Sequence, residues 1–360
     1  MKPNIFSKPG VSQGLFRDER LLYPEFVPER LPHRDKEIEE LVFALKPIVS
    51  GKKPANVFVS GSTGTGKTVT VKYVLKELQE YTDRARGIFI NCFEYGSRHA
   101  ILSHVSNSIG APVPRRGTGS DEVIARVASV LKNSALCPVI VLDESDQLVR
   151  RDDASRLFYD ILRMAEHEKA RFGVVFISND PAMTAGLDDR VRSSLFEHKV
   201  SFEKYTAGQL SDILNERIPK AFMGGVIGKD VIELAVAHAA KNGGDARVAI
   251  ECVLKAGRIA EKENSRIVGI EHVKKAVSMI VPRAAEKAMP FVSDEERKVL
   301  GLLSGETTTG NLYSAYKKSG AKPLTLRRFR DVINSLEAKG LVNVKPVSLP
   351  RGRTRTISKK

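Results

Sequence analysis

A glycine-rich segment at residues 61–68 (GSTGTGKT) constrains the fold of this chain more than any other feature. It follows a short apolar run at residues 56–60 and precedes residues 69–81, which show the apolar periodicity of a helix. Further β-rich runs alternate with helical segments later in the chain, at residues 87–91, 138–142 and 173–178. Because buried β runs separated by helices pair in parallel, the sequence predicts an α/β fold with a parallel sheet and helices on both faces.

The glycine-rich segment also matches the phosphate-binding pattern G-x-x-x-x-G-K-[ST] at every fixed position. Glycines let backbone N–H groups approach phosphate oxygens without a Cβ in the way, and the N-terminus of the following helix adds about half a positive charge. Lys67 is expected to reach the β- and γ-phosphates of ATP, and the Thr68 hydroxyl is expected to bind Mg²⁺. Backbone contacts to the phosphates are expected from Gly64, Thr65 and Gly66. The sequence therefore predicts a site for ATP or ADP with Mg²⁺.

Two carboxylates, Asp143 and Glu144, end the apolar run at residues 139–142 (VIVL). Burying unpaired charge is costly, so paired acids at the end of a buried strand indicate a function. We expect Asp143 to help hold Mg²⁺ and Glu144 to polarise the water that attacks the γ-phosphate. Asn179 ends the next strand and would orient that water, or else it is a turn residue ahead of an Asp-Pro pair.

The sequence pattern changes along the chain in a way that predicts four regions. Residues 1–36 are polar and proline-rich and are expected to form an extended arm. Residues 37–203 carry the α/β pattern and form the predicted nucleotide-binding domain. Residues 204–282 have only helical patterns with glycine breaks, which indicates a helical lid domain. Residues 283–360 show three helical patterns followed by a β-ribbon, the arrangement of a winged helix.

Three arginines are candidates for contacts with the terminal phosphate. Arg247 follows Gly243-Gly244-Asp245 at the start of a lid helix, from which it would touch the γ-phosphate. Arg190 and Arg192 lie where arginines can reach the nucleotide of a neighbouring subunit as fingers. The alternative for each is a surface charge.

Positive charge is concentrated at one end of the chain, whose net charge is +15. Residues 322–360 hold eleven Lys or Arg against two acids, a net of +9, which suggests a polyanionic partner or, alternatively, a solubilising tail. The candidate DNA contacts lie on the third predicted helix and at the ribbon tip: Arg327, Arg328, Arg330, Arg351, Arg353 and Arg355. The helix arginines suit a major groove and the ribbon arginines suit phosphates or a minor groove. The alternative is a winged helix used for protein contacts.

Composition argues against other classes of protein. No apolar run approaches the roughly 20 residues that span a bilayer, and residues 1–10 lack the apolar core of a secretory signal. The three cysteines form no Cys-x-x-Cys pair, so neither a zinc site nor a disulfide framework is predicted. These features favour a cytoplasmic protein.

The order of motifs resembles one family over essentially the whole chain. After residues 28–34 (PERLPHR) come the phosphate loop, VLDE, FISN, LDDRVRSSL, Lys204-Tyr205, GGDAR and the winged-helix pattern. This order is similar to that of archaeal replication initiators related to the origin recognition complex and the cell division control ATPases, which are AAA+ proteins with a winged helix.

The resemblance implies a function and further site residues. It implies an ATP-dependent DNA replication initiator, a weak ATPase that acts as a switch, binds duplex origin DNA and supports loading of the replicative MCM-type helicase. Further copies on DNA and a place at the nucleoid are implied partners and location. Residues 30–34, with Arg34, would flank the adenine and ribose, and Tyr205 and Arg217 would contact the nucleotide from the lid. Residues 95–120 would be an insertion that touches DNA, with Arg98, Arg115 and Arg116 suited to phosphate contacts, or else a solvated loop.

One departure puts a catalytic role between subunits in doubt. Related clamp loaders and some eukaryotic initiators carry an arginine where this chain has Ser194. The rival interpretations are a clamp-loader-like protein, a regulatory DNA-binding AAA+ ATPase and a structural scaffold. A clamp loader would need a helical collar in place of a basic winged helix.

Overall fold

The computed structural model describes two compact units, Met1–Ile280 and Val281–Lys360, which are treated separately below. The residues that it describes are 14–113, 118–149, 154–166, 170–187, 189–195, 197–280, 293–303, 305–319, 324–338, 341–349 and 352–359. Across these ranges, no helix is long and apolar enough to cross a membrane.

A five-stranded parallel sheet forms the centre of the first unit, as predicted. Its strand order is β2-β3-β4-β1-β5. The strands are β1 (Val57–Gly61), β2 (Ala85–Asn91), β3 (Cys137–Asp143), β4 (Gly173–Ser178) and β5 (His198–Phe202). Because all strands run the same way, the residues that follow β1, β3 and β4 meet at one edge of the sheet, which is where the phosphate loop and the paired acids lie.

Alternate residues of β3 face opposite sides of the sheet, and both sides are buried. Val139 and Val141 belong to one apolar cluster, whereas Ile140 and Leu142 belong to the other. Burial on both faces explains why this strand is a continuous apolar run in the sequence. The flanking helices are α1 (Asp35–Leu45), α2 (Lys67–Tyr81), α3 (Arg98–Ser108), α4 (Ser120–Asn133), α5 (Asp146–Val149), α6 (Ala154–Glu166) and α7 (Asp189–Leu195).

The lid that follows the sheet is helical, as predicted. Its helices are α8 (Ala207–Ala221), α9 (Lys229–Lys241), α10 (Ala246–Lys262) and α11 (Ile270–Ser278). Thr206 and Gln209 form a capping box at the start of α8, and the Asp245 carboxylate caps α10 by accepting from the Arg247 amide. The two caps fix where each helix begins, and the second places Asp245 and Arg247 at a helix N-terminus.

The N-terminal segment differs from the predicted extended arm. Glu19–Leu22 forms a 3-10 helix, and Leu15 and Leu22 are buried in the apolar core of the lid. The rings of Phe16 and Phe222 lie 4.4 Å apart, and both rest on Gly257, where a Cβ would overlap them. The sequence did not predict this arrangement because the apolar partners of the segment lie more than 180 residues later in the chain.

The second unit contains three helices and a three-stranded sheet. The helices are Asp294–Leu302, Thr309–Lys318 and Leu326–Ala338, and the strands are β6 (Thr307–Thr308), β7 (Val342–Leu349) and β8 (Gly352–Lys359). The sheet order is β6-β8-β7. Phe329 and Leu336 of the third helix are fully buried among apolar residues of the other elements, so this unit has a core of its own.

Candidate nucleotide-binding site

The phosphate loop connects β1 to α2, and Lys67 is the first residue of that helix. The Lys67 ammonium donates to the carbonyl oxygens of Gly61 (2.8 Å) and Ser62 (2.7 Å) and to the Asn179 amide oxygen (3.0 Å). Gly64 and Gly66 have positive φ angles of 76° and 90°, a conformation that glycine adopts without strain. The loop thus holds its lysine across the end of β4, where a terminal phosphate could replace carbonyl partners.

Thr68 and Asp143 meet directly beside the loop, as the predicted magnesium site requires. The Thr68 hydroxyl donates to Asp143 Oδ2 at 2.9 Å. Burial raises the pKa of the Asp143 carboxyl, while the hydrogen bond from Thr68 opposes the shift. Among the described residues no group of three or more His, Cys, Asp or Glu side chains could hold a metal ion. Hydroxyl and carboxylate oxygens suit Mg²⁺, which commonly takes one or two protein ligands together with substrate phosphates, so the donor set fits.

Glu144 follows Asp143 in a conformation that side chains rarely adopt. Its φ angle is 55°, and its amide donates to Asp143 Oδ1 at 2.9 Å. Backbone strain of this kind persists only where the surroundings over-determine it, and it is concentrated at functional sites. Asn179 lies close by, because its amide oxygen accepts from Lys67. Asp143, Glu144 and Asn179 therefore lie at one edge of the sheet, and their catalytic roles stay predictions.

Arg34 and Tyr205 also contact the phosphate loop. The Arg34 guanidinium is 4% exposed, donates to the Thr65 carbonyl (2.8 and 3.1 Å) and pairs with Glu37 at 2.9 Å. It also lies 3.9 Å from the centre of the Tyr205 ring, over its face, and donates to the Tyr205 hydroxyl. Burial raises the pKa of Tyr205, and the charge of Arg34 opposes this shift. Both residues thus support the phosphate loop, and Tyr205 extends this contact to the apolar core of the lid.

The start of α10 rests on the phosphate loop. The Ala246 amide donates to the Gly64 carbonyl at 3.1 Å, and the Asp245 carboxylate covers the Gly64 α-carbon so closely that a Cβ there would overlap it. Arg247 Nε is buried 3.7 Å from Asp245 Oδ1, and no hydrogen-bond acceptor was found for it within the described ranges. A buried guanidinium nitrogen without an acceptor beside a phosphate loop fits an anionic ligand.

Arg217 contacts the N-terminal segment and interacts electrostatically with Tyr205. Its guanidinium donates to the Leu21 carbonyl at 3.1 Å and lies 5.6 Å from the centre of the Phe26 ring. Burial lowers its pKa. The structure therefore gives Arg217 partners in the N-terminal segment, and its predicted contact with the nucleotide stays a prediction.

The third helix of the second unit presents its basic face to solvent. Arg327, Arg328 and Arg330 are exposed, whereas Phe329 and Ile333 on the opposite side are buried. Arg328 lies 3.8 Å from Glu295 in an exposed ion pair. A helix packed on one side and basic on the other has the form expected for groove binding.

The predicted ribbon tip is shorter than expected. β7 and β8 pair as far as Leu349 and Gly352, so Arg353 and Arg355 lie within a strand. The Arg355 guanidinium donates to Asn334 Oδ1 of the third helix at 2.9 Å. Arg351 and the side chain of Arg353 lie outside the described residues.

Comparison with known proteins places both units in one family. Residues 51–181 match the family model for an AAA domain, residues 211–278 the model for a Cdc6 AAA+ ATPase-type lid domain, and residues 301–360 the model for a CDC6 C-terminal winged helix domain. The ORC1-type DNA replication protein of Thermococcus kodakarensis is 38% identical, covering 98% of this chain and 90% of its own length. The chain belongs to the family of ORC1-type DNA replication proteins.

Other members of the ORC1-type family agree with this placement. ORC1-type DNA replication protein 1 of Archaeoglobus fulgidus is 36% identical over 98% of this chain and 90% of its own length. The structure of the Aeropyrum pernix ORC1 protein in complex with DNA is 34% identical and covers 96% of this chain and 93% of its own, with a TM-score of 0.84. The predicted resemblance and fold class are confirmed. The family is one of replication initiators with an AAA+ ATPase domain, so a clamp-loader-like function is not favoured.

The arginines predicted as fingers and those predicted for the DNA-touching insertion of this ORC1-type chain fall into two classes. Some form ion pairs with acids of the same unit, and the others lie outside the described residues or side chains. Arg192 pairs with Asp189 at 2.6 Å, while the side chains of Arg190 and Ser194 are not among those described. Arg98, in the predicted DNA-touching insertion, pairs with Asp160 and Asp121, and the bond to Asp160 raises its pKa. Arg98 therefore joins α3 to α4 and α6. Arg115 and Arg116 lie outside the described residues.

The sequence did not predict the contacts that two further residues make in the site. Asp245 was recognised only as part of the GGDAR motif, although an acid two residues before Arg247 is a regular helix cap that could have been found. Asp146 is a buried carboxylate two residues after Glu144. Its signal is the third acid in the run DESD.

Proposed function

We propose that this ORC1-type protein is an ATP-controlled initiator that binds origin DNA and supports loading of the replicative MCM-type helicase. Slow hydrolysis of ATP to ADP and phosphate would act as its switch. Further copies of the protein on DNA would be partners, and the protein would be located at the nucleoid. The proposed regions are residues 1–36, 37–203, 204–282 and 283–360. The observation that carries the proposal is the direct contact between the lid and the phosphate loop.

The loop residues would bind the nucleotide, and the acids would activate water. Backbone amides from Gly64 to Thr68 would surround the phosphates, and the Lys67 ammonium would exchange its carbonyl partners for phosphate oxygens. Thr68 and Asp143 would hold Mg²⁺, which supplies positive charge beside the phosphates when bound. The Glu144 carboxylate would accept a proton from water, and the Asn179 amide would orient that water. Each of these groups already lies at the carboxyl edge of the sheet.

The lid contact supports a switch. Ala246 donates to the Gly64 carbonyl, and Arg247 has a buried nitrogen without a described acceptor, so a phosphate on the loop would meet the lid as well. A contact made with ATP and weakened with ADP would favour different lid positions for the two nucleotides. Arg34 would flank the adenine and ribose, and Tyr205 and Arg217 would contact the nucleotide from the start of the lid.

The winged-helix unit supports the DNA part of the proposal. Its third helix exposes three arginines, and a relative with 34% identity was solved in complex with DNA. Arg327, Arg328 and Arg330 would face base edges, whereas Arg351, Arg353 and Arg355 would contact phosphates. Such phosphate contacts make binding depend on salt.

The proposal is tested by fluorescence anisotropy of the full chain with an origin duplex and a scrambled duplex, in ATP and in ADP. We expect a preference for the origin that differs between nucleotides. The same affinity for both duplexes would overturn the proposal that the protein recognises origin DNA.

Small-angle scattering of wild type and Arg247→Ala with each nucleotide tests the switch, because only the wild-type protein should change its lid position between ATP and ADP. Co-sedimentation of an MCM-type helicase with the origin-bound protein tests the partner.

A further inference from the structure

A buried carboxylate lies next to the hydrolytic residues and has no part in the chemistry described so far. Asp146 begins α5, two residues after Glu144, and is 5% exposed. Burying a carboxylate is costly unless it accepts hydrogen bonds. Its partners therefore indicate what the residue does.

The Asp146 carboxylate binds the end of β4. Its Oδ1 accepts from the backbone N–H of Asn179 at 3.3 Å and from the Ser178 hydroxyl at 3.4 Å. Its Oδ2 accepts from the side-chain amide of Gln147 at 3.0 Å. Asn179 in turn accepts from the Lys67 ammonium at 3.0 Å. One carboxylate thus fixes the backbone of the residue that would orient the lytic water.

The residue before Asp146 makes a second connection to the same strand. Both the amide and the hydroxyl of Ser145 donate to the Ile177 carbonyl, at 2.9 and 3.0 Å. Glu144 therefore stands, with its unusual φ angle of 55°, immediately before a segment that is tied to β4 at two successive residues. Strain at Glu144 can persist because its neighbours are held.

We infer that Asp146 is a positioning residue for ATP hydrolysis. It holds the segment that follows Glu144 against β4, and so sets the distance between the Glu144 carboxylate and the side-chain amide of Asn179. It acts through these two residues, away from the nucleotide itself. The inference rests on the proposed roles of Glu144 and Asn179.

The inference predicts a loss of rate without a loss of binding. In Asp146→Ala the single-turnover rate of ATP hydrolysis should fall by about 10–100-fold, a loss of the size seen when an outer partner that orients a metal ligand is removed. Calorimetric titration should give an unchanged affinity for ATP, because the loop residues keep their own contacts. Asp146→Asn retains an acceptor oxygen for the backbone N–H of Asn179 and should restore most of the rate.

Asp160 provides the matched control. It is another buried aspartate of the same unit, 8% exposed, but it pairs with Arg98 on α3. Asp160→Ala should lower the melting temperature and leave the hydrolysis rate unchanged. Should Asp146→Ala fail to fold, Asp146→Ser keeps a polar group that is too short to reach the Asn179 amide, and the same loss of rate is expected.

The outcomes separate the inference from the function on which it rests. A wild-type rate in Asp146→Ala or Asp146→Ser overturns the inference. It is also overturned if ATP affinity, melting temperature and rate all fall together and Asp146→Asn does not restore them. Glu144→Gln is measured alongside. Normal hydrolysis in that variant would overturn the proposed chemistry, whatever the behaviour of Asp146.

Discussion

The Asp245 carboxylate lies directly over the α-carbon of Gly64, so that a side chain of the lid touches the backbone of the phosphate loop. The contact needs glycine for two reasons, which are the positive φ angle of 76° and the lack of room for a Cβ. Lid position and loop conformation are therefore coupled even before a nucleotide is considered.

Gly64→Ala should lift the lid from the loop. Gly110→Ala is its control, because Gly110 has a similar φ angle of 81° but nothing within 4 Å of an added Cβ. Both variants carry backbone strain of about 1–2 kcal/mol, and only the first displaces Asp245. Hydrogen exchange of the Ala246 amide, which donates to the Gly64 carbonyl, should become faster in Gly64→Ala alone. Equal exchange in both variants would contradict the coupling.

Lys67→Ala should abolish tight binding of ATP. The ammonium would form charge-assisted contacts with phosphate, each of which contributes about 1.5–3 kcal/mol. Calorimetric titration measures the loss. Lys76→Ala is the control, because Lys76 belongs to the same helix but forms an exposed pair with Glu80. Unchanged affinity in Lys67→Ala would remove the basis for assigning phosphate binding to this loop.

Glu144→Gln should keep ATP bound and stop its hydrolysis. The amide has the shape of the carboxylate but cannot accept the proton of the attacking water. A single-turnover assay with labelled ATP measures the rate, with Glu77→Gln on the exposed face of α2 as a control. Phosphate release at the wild-type rate would leave Glu144 as the end of a strand with no chemical role.

Arg34→Ala should destabilise the first unit. Removing one partner of a buried ion pair costs about 3–5 kcal/mol, because the other charge is left unpaired. Here the group left behind is Glu37, together with the Thr65 carbonyl. Urea unfolding followed by circular dichroism should show the loss, whereas Arg30→Ala at an exposed position should change stability by no more than about 0.5 kcal/mol. Equal stability of the two variants would show that the Arg34 network contributes little.

The two strand arginines of the winged helix should behave differently on DNA. Arg353→Ala should weaken binding to all duplexes alike and reduce the slope of log affinity against log salt by about one unit. Arg355→Ala should also reduce the preference for origin DNA, because Arg355 holds Asn334 of the third helix. Asn334→Ala should reproduce that loss of preference without the change in slope. Anisotropy over a salt series decides, and identical behaviour of the two arginine variants would contradict a role for the Asn334 contact.

The parts of the fold that sequence could predict are those with local signals. The phosphate loop, the acids after β3 and the helical lid each follow from a pattern within a few residues, and the structure bears out the sheet and the lid. β5 was missed because its sequence, HKVSF, mixes charged and apolar residues as expected for an edge strand. The partners of Asp146 on β4 and the contact of Asp245 with Gly64 could not be predicted, since they depend on which strand and which loop come to lie beside these residues. The roles of the site residues stay predictions.

The packing of the N-terminal segment in the lid has a consequence for how the protein is made. The Leu15 amide donates to the Glu261 carboxylate, 246 residues later, so this segment is synthesised long before the part of its unit that it contacts. Closing so long a loop is entropically costly and slows folding. Until Phe222 has been synthesised, Phe16 has no partner, and the nascent chain exposes an apolar segment that a chaperone could hold. Truncated variants that begin at α1 would lack this segment, so that Phe222 and Gly257 would lose their contacts with Phe16.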